Sequence, residues 1–157
     1  LVGQAAFLCD REPGRHLHRR RAGFQELHRV GAGEDAAGRD QRDVELLLAT
    51  SGGYTVGFVD IAFATLCPVP GVRGAEVFRL YVQRPFLRRG LGRKLMAKAE
   101  ASARARGLES IWLTAWAGNH GALAFYQSLG FRDIGTTEYV IDGVGHENRV
   151  LCKTLAR

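Results

Sequence analysis

The chain has 157 residues, 46% of them hydrophobic and 24% charged, and carries a formal net charge of +6. That is the ordinary length and composition of one soluble globular domain with a real core. The longest apolar run, 56–69, is broken by Asp60 and Pro68, so no membrane span is expected. The apolar start, 1–8, is too short for a signal peptide. Cys9, Cys67 and Cys152 are scattered and odd in number, the pattern of reduced thiols in a cytoplasmic protein.

In chain order, 2–9 reads as a first strand. The stretch 10–43 has few aliphatic residues and much Arg, Gly, His and Asp, and is poorly suited to burying a core. Within it Phe24, Leu27 and Val30 have helical spacing, so a short helix ended by Gly31 and Gly33 is expected. His16, His18 and His28 have no Cys or carboxylate cluster at ligand spacing and read as solvated, with no metal. Next, 44–49 is apolar, Ser51-Gly52-Gly53 marks a turn, and 54–66 is a long strand, together a hairpin. Gly57 marks a bulge or a close approach. Pro68 and Pro70 place a loop over 67–74.

A strand at 76–82 follows, and simple alternation aligns Glu76 with Phe78, Leu80 and Val82. A basic turn leads into a helix from Gly90 to about Arg106, closed by Gly107. Another strand covers 108–116. Asn119 is placed to cap a short helix that Gly130 ends, with Phe131 packing back. Strands at 131–141 and 147–155 close the chain as a hairpin around Asp142-Gly143. This order implies a mixed, mostly antiparallel sheet with helices on its faces, an α/β (α+β) fold in one domain, 1–157.

The chemistry concentrates where the strand at 76–82 meets the helix. Between Glu76 and Glu100 there is no acidic residue, while Arg79, Arg84, Arg88, Arg89, Arg93, Lys94 and Lys98 all fall there. The first turn of a helix has unbonded amides and the positive end of the helix dipole. Gly90 and Gly92 leave those amides unshielded, which suits a phosphate or pyrophosphate. A dinucleotide fingerprint would need a third glycine where Leu95 stands, and no Gly-Lys-Ser/Thr follows for a phosphate-binding Walker loop. Charge focused on one turn fits the phosphates of a cofactor better than nucleic acid, which is not expected as a partner.

Leu87-Arg88-Arg89-Gly90-Leu91-Gly92, preceded by Leu80-Tyr81-Val82, resembles the signature Arg/Gln-x-x-Gly-x-Gly/Ala of the GNAT superfamily of acetyl-CoA-dependent N-acetyltransferases. Leu87 departs from its first position; main-chain amides do most of the binding there, and Arg88 or Arg89 can supply the charge. A second block, Asn119 to Phe131, is similar to the family's Asn-x-x-Ala-x-x-x-Tyr-x-x-x-Gly-Phe. The resemblance covers 44–157, leaving 1–43 atypical: either a shortened or flexible acceptor-side cap, or a stretch read out of frame.

The resemblance implies a GNAT-like fold whose splayed strand pair holds the cofactor, and transfer of acetyl from acetyl-CoA to a primary amine of a small molecule or protein in a ternary complex. It implies cofactor contacts from Leu80, Val82, Leu87, Arg88, Arg89, Gly90, Leu91, Gly92, Arg93, Asn119 and Tyr126. Tyr126 is the expected acid for the leaving thiolate; its alternative is a core residue beside Phe125. Glu76 is the expected base, with solvation at a strand end or an ordered water in its place as the alternatives. No membrane partner is expected, and a homodimer is compatible with the family. The other functional class in play is a non-catalytic acyl-CoA-binding regulatory domain.

Overall fold

The computed structural model describes residues 26–30, 44–141 and 143–155. Strands β1 (Glu26–Val30), β2 (Val44–Ser51), β3 (Tyr54–Ala62), β4 (Ala75–Val82), β5 (Ser110–Trp116), β6 (Arg132–Ile141) and β7 (Val144–Thr154) form one sheet in the order β1-β2-β3-β4-β5-β7-β6. Helices α1 (Leu91–Ala105) and α2 (His120–Ser128) follow β4 and β5. Every neighbouring pair is antiparallel except β4–β5. Parallel neighbours need a crossover connection, and α1 supplies it.

The core lies between the sheet and α1. Leu91, Leu95, Met96, Ala99 and Ala103 form the buried stripe of α1, at the spacing one helix face requires. They pack with Ala75, Val77, Leu80 and Val82 of β4 and Ile111, Leu113 and Ala115 of β5. Burying each large aliphatic side chain contributes about 1.5–3 kcal/mol. Two buried carboxylates fix the helix further. Glu100 accepts from Lys153 of β7 at 2.6 Å, and Glu45 of β2 accepts from Ser102 at 2.9 Å.

Several expectations are corrected. The helix expected around Phe24, Leu27 and Val30 gives way to β1, which pairs with β2 from Glu26↔Thr50 to Val30↔Leu46. Three apolar residues cannot favour a helix over the unpaired edge that β2 offers. The strand expected over 54–66 stops at Ala62, and Leu66 is 95% exposed. The last strand starts at Val144, not at 147, because the hairpin turn is tight. The strand expected at 2–9, most of 10–43, and Cys9, His16 and His18 lie outside the described residues, as does the side chain of His28.

The alternation of β4 is also corrected. Asp60 pairs with Arg79, yet the next β3 residue, Ile61, pairs with Val77, which leaves Phe78 as an extra residue in a bulge. A bulge reverses which face later side chains take. Ala75, Val77, Leu80 and Val82 therefore share the α1 face, and Glu76 joins Arg79 and Tyr81 on the opposite one. On that opposite face Phe58 stacks on Tyr81 at 5.8 Å and Asp60 accepts from Arg79 Nε at 2.6 Å.

Candidate active site

β4 and β5 are paired only at Ala75↔Ile111 and Glu76↔Trp112. Beyond these residues the two strands part. The split is closed at Glu76 and widens toward Leu80–Val82 and Ala115–Trp116. The expectation of a splayed pair is met, and the Phe78 bulge lies beside the point where it opens.

At the wide end, Arg84–Phe86 makes a 3-10 turn and the chain enters α1. Gly90 stands at the helix start with φ of 77°, and Arg88 has φ of 59°. A left-handed conformation costs a residue with a Cβ on the order of 1–2 kcal/mol, so Gly90 takes it freely while Arg88 is held in it. The first helical bond runs from Lys94 N to Gly90 O at 3.1 Å. The amides of Leu91, Gly92 and Arg93 precede it, so they have no helical partner, and no side chain caps this end. Gly92 has a second role: a Cβ there would lie 3.2 Å from the Phe125 ring, so its absence lets α2 approach α1. Arg93 also bonds Ser128 at 3.3 Å.

A cavity of about 730 Å³ opens between this helix start, β4 and α2. Of the expected cofactor residues, Leu80, Val82, Leu87, Arg88, Gly90, Leu91, Gly92, Arg93 and Tyr126 line it. Arg89 and Asn119 do not: the Arg89 guanidinium sits over the Phe86 ring at 5.6 Å, and Asn119 Oδ1 caps α2 by accepting from Ala122 N at 3.1 Å. Arg84, Phe86, Ala122 and Phe125 line the cavity too and were not among the expected site residues. Ala122 stands at the alanine of the second motif and was legible there; Phe86 and Phe125 read only as apolar residues in a turn and a helix.

Tyr126 is 1% exposed, between Phe125 and Phe131 at ring distances of 5.2 and 5.9 Å. Gly130, with φ of 88°, turns the chain so that Phe131 N bonds Tyr126 O at 3.2 Å and its ring returns to the core. Burial pushes the Tyr126 phenol well above the ordinary tyrosine range, so it stays protonated at neutral pH. Glu76 is half-buried and outside the cavity lining. It lies near Cys67, whose thiol burial raises first and the Glu76 carboxylate raises further. The split in the sheet separates Tyr126, on the helix side, from Glu76 on the other. Among the described residues no cluster of His, Cys, Asp and Glu could hold a metal, and no helix is long and apolar enough to cross a membrane.

Comparison with known proteins agrees with this geometry. The chain is 36% identical over 78 residues to the ribosomal protein bS18-alanine N-acetyltransferase of Salmonella typhimurium, a match spanning 49% of this chain and 53% of that one. It is 41% identical over 76 residues to mouse N-alpha-acetyltransferase 80, covering 48% of this chain and 22% of that one. It thus spans about half the length of the bacterial relative and less of the mouse protein. A GNAT family acetyltransferase of Elizabethkingia anophelis, solved with acetyl-CoA bound, has the same fold, with a TM-score of 0.62, 17% identity and coverage of 83% and 97%. The profile of the acetyltransferase (GNAT) family matches residues 19–131, and with the split sheet and bare helix start in place, the chain belongs to that family.

Proposed function

We propose that the chain is an N-acetyltransferase that uses acetyl-CoA, and that its acceptor is the α-amine at a polypeptide N-terminus. The observation that carries the reading is the single cavity joining the uncapped start of α1 to the Tyr126 ring across the open end of β4. Its size is within the usual range for a small-molecule site. The residues fit the cofactor. The free amides of Leu91 to Arg93, with Arg88 and Arg84 beside them, would hold the diphosphate, and the parted edge of β4 would face the pantetheine. When bound, acetyl-CoA supplies the acetyl group as a thioester.

Tyr126 serves the leaving sulfur. A thiolate has a pKa of about 8.5, well below that of the buried phenol, so Tyr126 stabilises it by donating a hydrogen bond; complete proton transfer would be uphill. Glu76, at the closed end of the split, receives the acceptor's proton directly or through water. The size of that task favours an α-amine. Deprotonating a lysine amine of pKa about 10.4 at pH 7 costs on the order of 4.6 kcal/mol, whereas an α-amine of pKa about 7.8 costs about 1 kcal/mol. A half-buried carboxylate outside the cavity is adequate for the second and weak for the first. The bacterial relative, a ribosomal protein bS18-alanine N-acetyltransferase, and the mouse relative, an N-alpha-acetyltransferase, point the same way.

The test is thiol release from acetyl-CoA in the presence of N-terminal peptides, lysine side-chain analogues and small diamines. Release with peptides bearing a free α-amine and not with their N-formylated forms is the expected result. Binding of acetyl-CoA without release on any amine would leave only a cofactor-binding domain.

A further inference from the structure

On the face of the sheet away from α1, the wide end of the split is bordered by two aromatic side chains. Alternation along β5 places Trp112, Thr114 and Trp116 there, since Ile111, Leu113 and Ala115 belong to the helix-side core. The Phe78 bulge places Tyr81 there from β4, stacked on Phe58. Trp116 is unusual among these. It is 56% exposed, although an indole normally finds burial, yet it is not loosely held. A Cβ on Gly118 would lie 2.5 Å from its ring, so the ring rests directly on the Gly118 backbone. Asn119 N bonds Trp116 O at 2.9 Å, and Ala117 N bonds Glu147 O at 3.0 Å, which pins the segment to α2 and β7.

We infer that Trp116 is a specificity-determining residue that binds the first side chain of the acceptor polypeptide and selects an apolar one. The inference rests on the acetyl-transfer reading above. The cofactor cavity takes up the helix side of the split, so an acceptor reaches the reacting carbon from the other face, between Tyr81 and Trp116. A rigid, exposed indole there offers apolar area at low entropic cost. Arg79, the cation of β4 on this face, is already engaged by the buried Asp60, so an acidic first side chain would not gain it as a partner.

The experiment uses the full chain and a peptide set differing only in the first residue, Ala, Leu, Met, Phe, Asp or Glu. Wild type should prefer Leu, Met or Phe to Asp by at least roughly ten-fold in kcat/KM. Trp116→Ala should raise KM for the apolar peptides about ten-fold, with kcat and the KM for acetyl-CoA changed by less than about three-fold, the signature of lost binding and not of lost chemistry. Trp116→Phe should restore most of the loss. Gly118→Ala, which keeps the indole but displaces its ring, should copy Trp116→Ala. An unchanged acceptor KM in both variants, or a wild-type preference for Asp or Glu, overturns the assignment while acetyl transfer stands. No transfer to any amine overturns both.

Discussion

Helices α1 and α2 begin with the same problem, amides in the first turn that have no carbonyl to bond, and dispose of it in opposite ways. α2 closes its start from within: Asn119 Oδ1 accepts from Ala122 N at 3.1 Å. α1 keeps its start open, with left-handed Gly90 at the cap position and Arg88, Arg93 and Arg84 around the mouth of a cavity. The first arrangement ends in local stability. The second leaves electrostatic potential unspent, available to an anion from outside. Ala122, Phe125 and Tyr126 of α2 line the same cavity as the open start of α1, so the tyrosine of one helix shares a cavity with the bare amides of the other.

The contrast can be broken most severely by giving α1 the cap that α2 has. Gly90→Asp places a carboxylate where the ligand's diphosphate is proposed to bind, and aspartate tolerates the left-handed region better than most residues. Acetyl-CoA affinity measured by calorimetry should fall by on the order of 2–3 kcal/mol, roughly 30–150-fold, while the melting temperature holds. Retained affinity would place the cofactor elsewhere. Next in size is Tyr126→Phe, expected to lower kcat about 100-fold and leave acetyl-CoA affinity nearly unchanged; unaltered turnover removes Tyr126 from the acid role. The same variant reports on burial. Because burial raises the folded pKa above the unfolded value of about 10, the stability of wild type relative to Tyr126→Phe should be constant below that pH and decline above it, where the unfolded chain loses its proton first. The smallest effect is that of Asn119→Ala. It opens the start of α2 and should cost about 1 kcal/mol, or about 2–4 °C in melting temperature, with cofactor affinity little changed. A large loss of affinity would show that Asn119 also serves the ligand.

Both starts were legible in the sequence. Asn119 before an apolar helix and Gly130 after it are local signals, set by side-chain and backbone chemistry within a turn or two, and the structure has both. The Gly90 turn was legible for the same reason. The parted strands were expected only through resemblance to the family, because nothing in 76–82 or 108–116 by itself says where pairing stops.

Local rules settled most elements here: hydrophobic spacing along α1, turn residues at Gly52-Gly53, and the glycines that end each helix. They act over a few residues, so the order of residues is enough to state them. What only the tertiary structure decided is which side chains share a face and a cavity. The bulge at Phe78 depends on how β3 registers against β4, and it moved Glu76 off the face on which strict alternation had put it. β1 became a strand because β2 offered an edge to pair with, and Phe125 entered the cavity wall because Gly92, on another helix, leaves it room. Each of these follows from contacts between segments distant in the chain, whose free energy no local pattern contains.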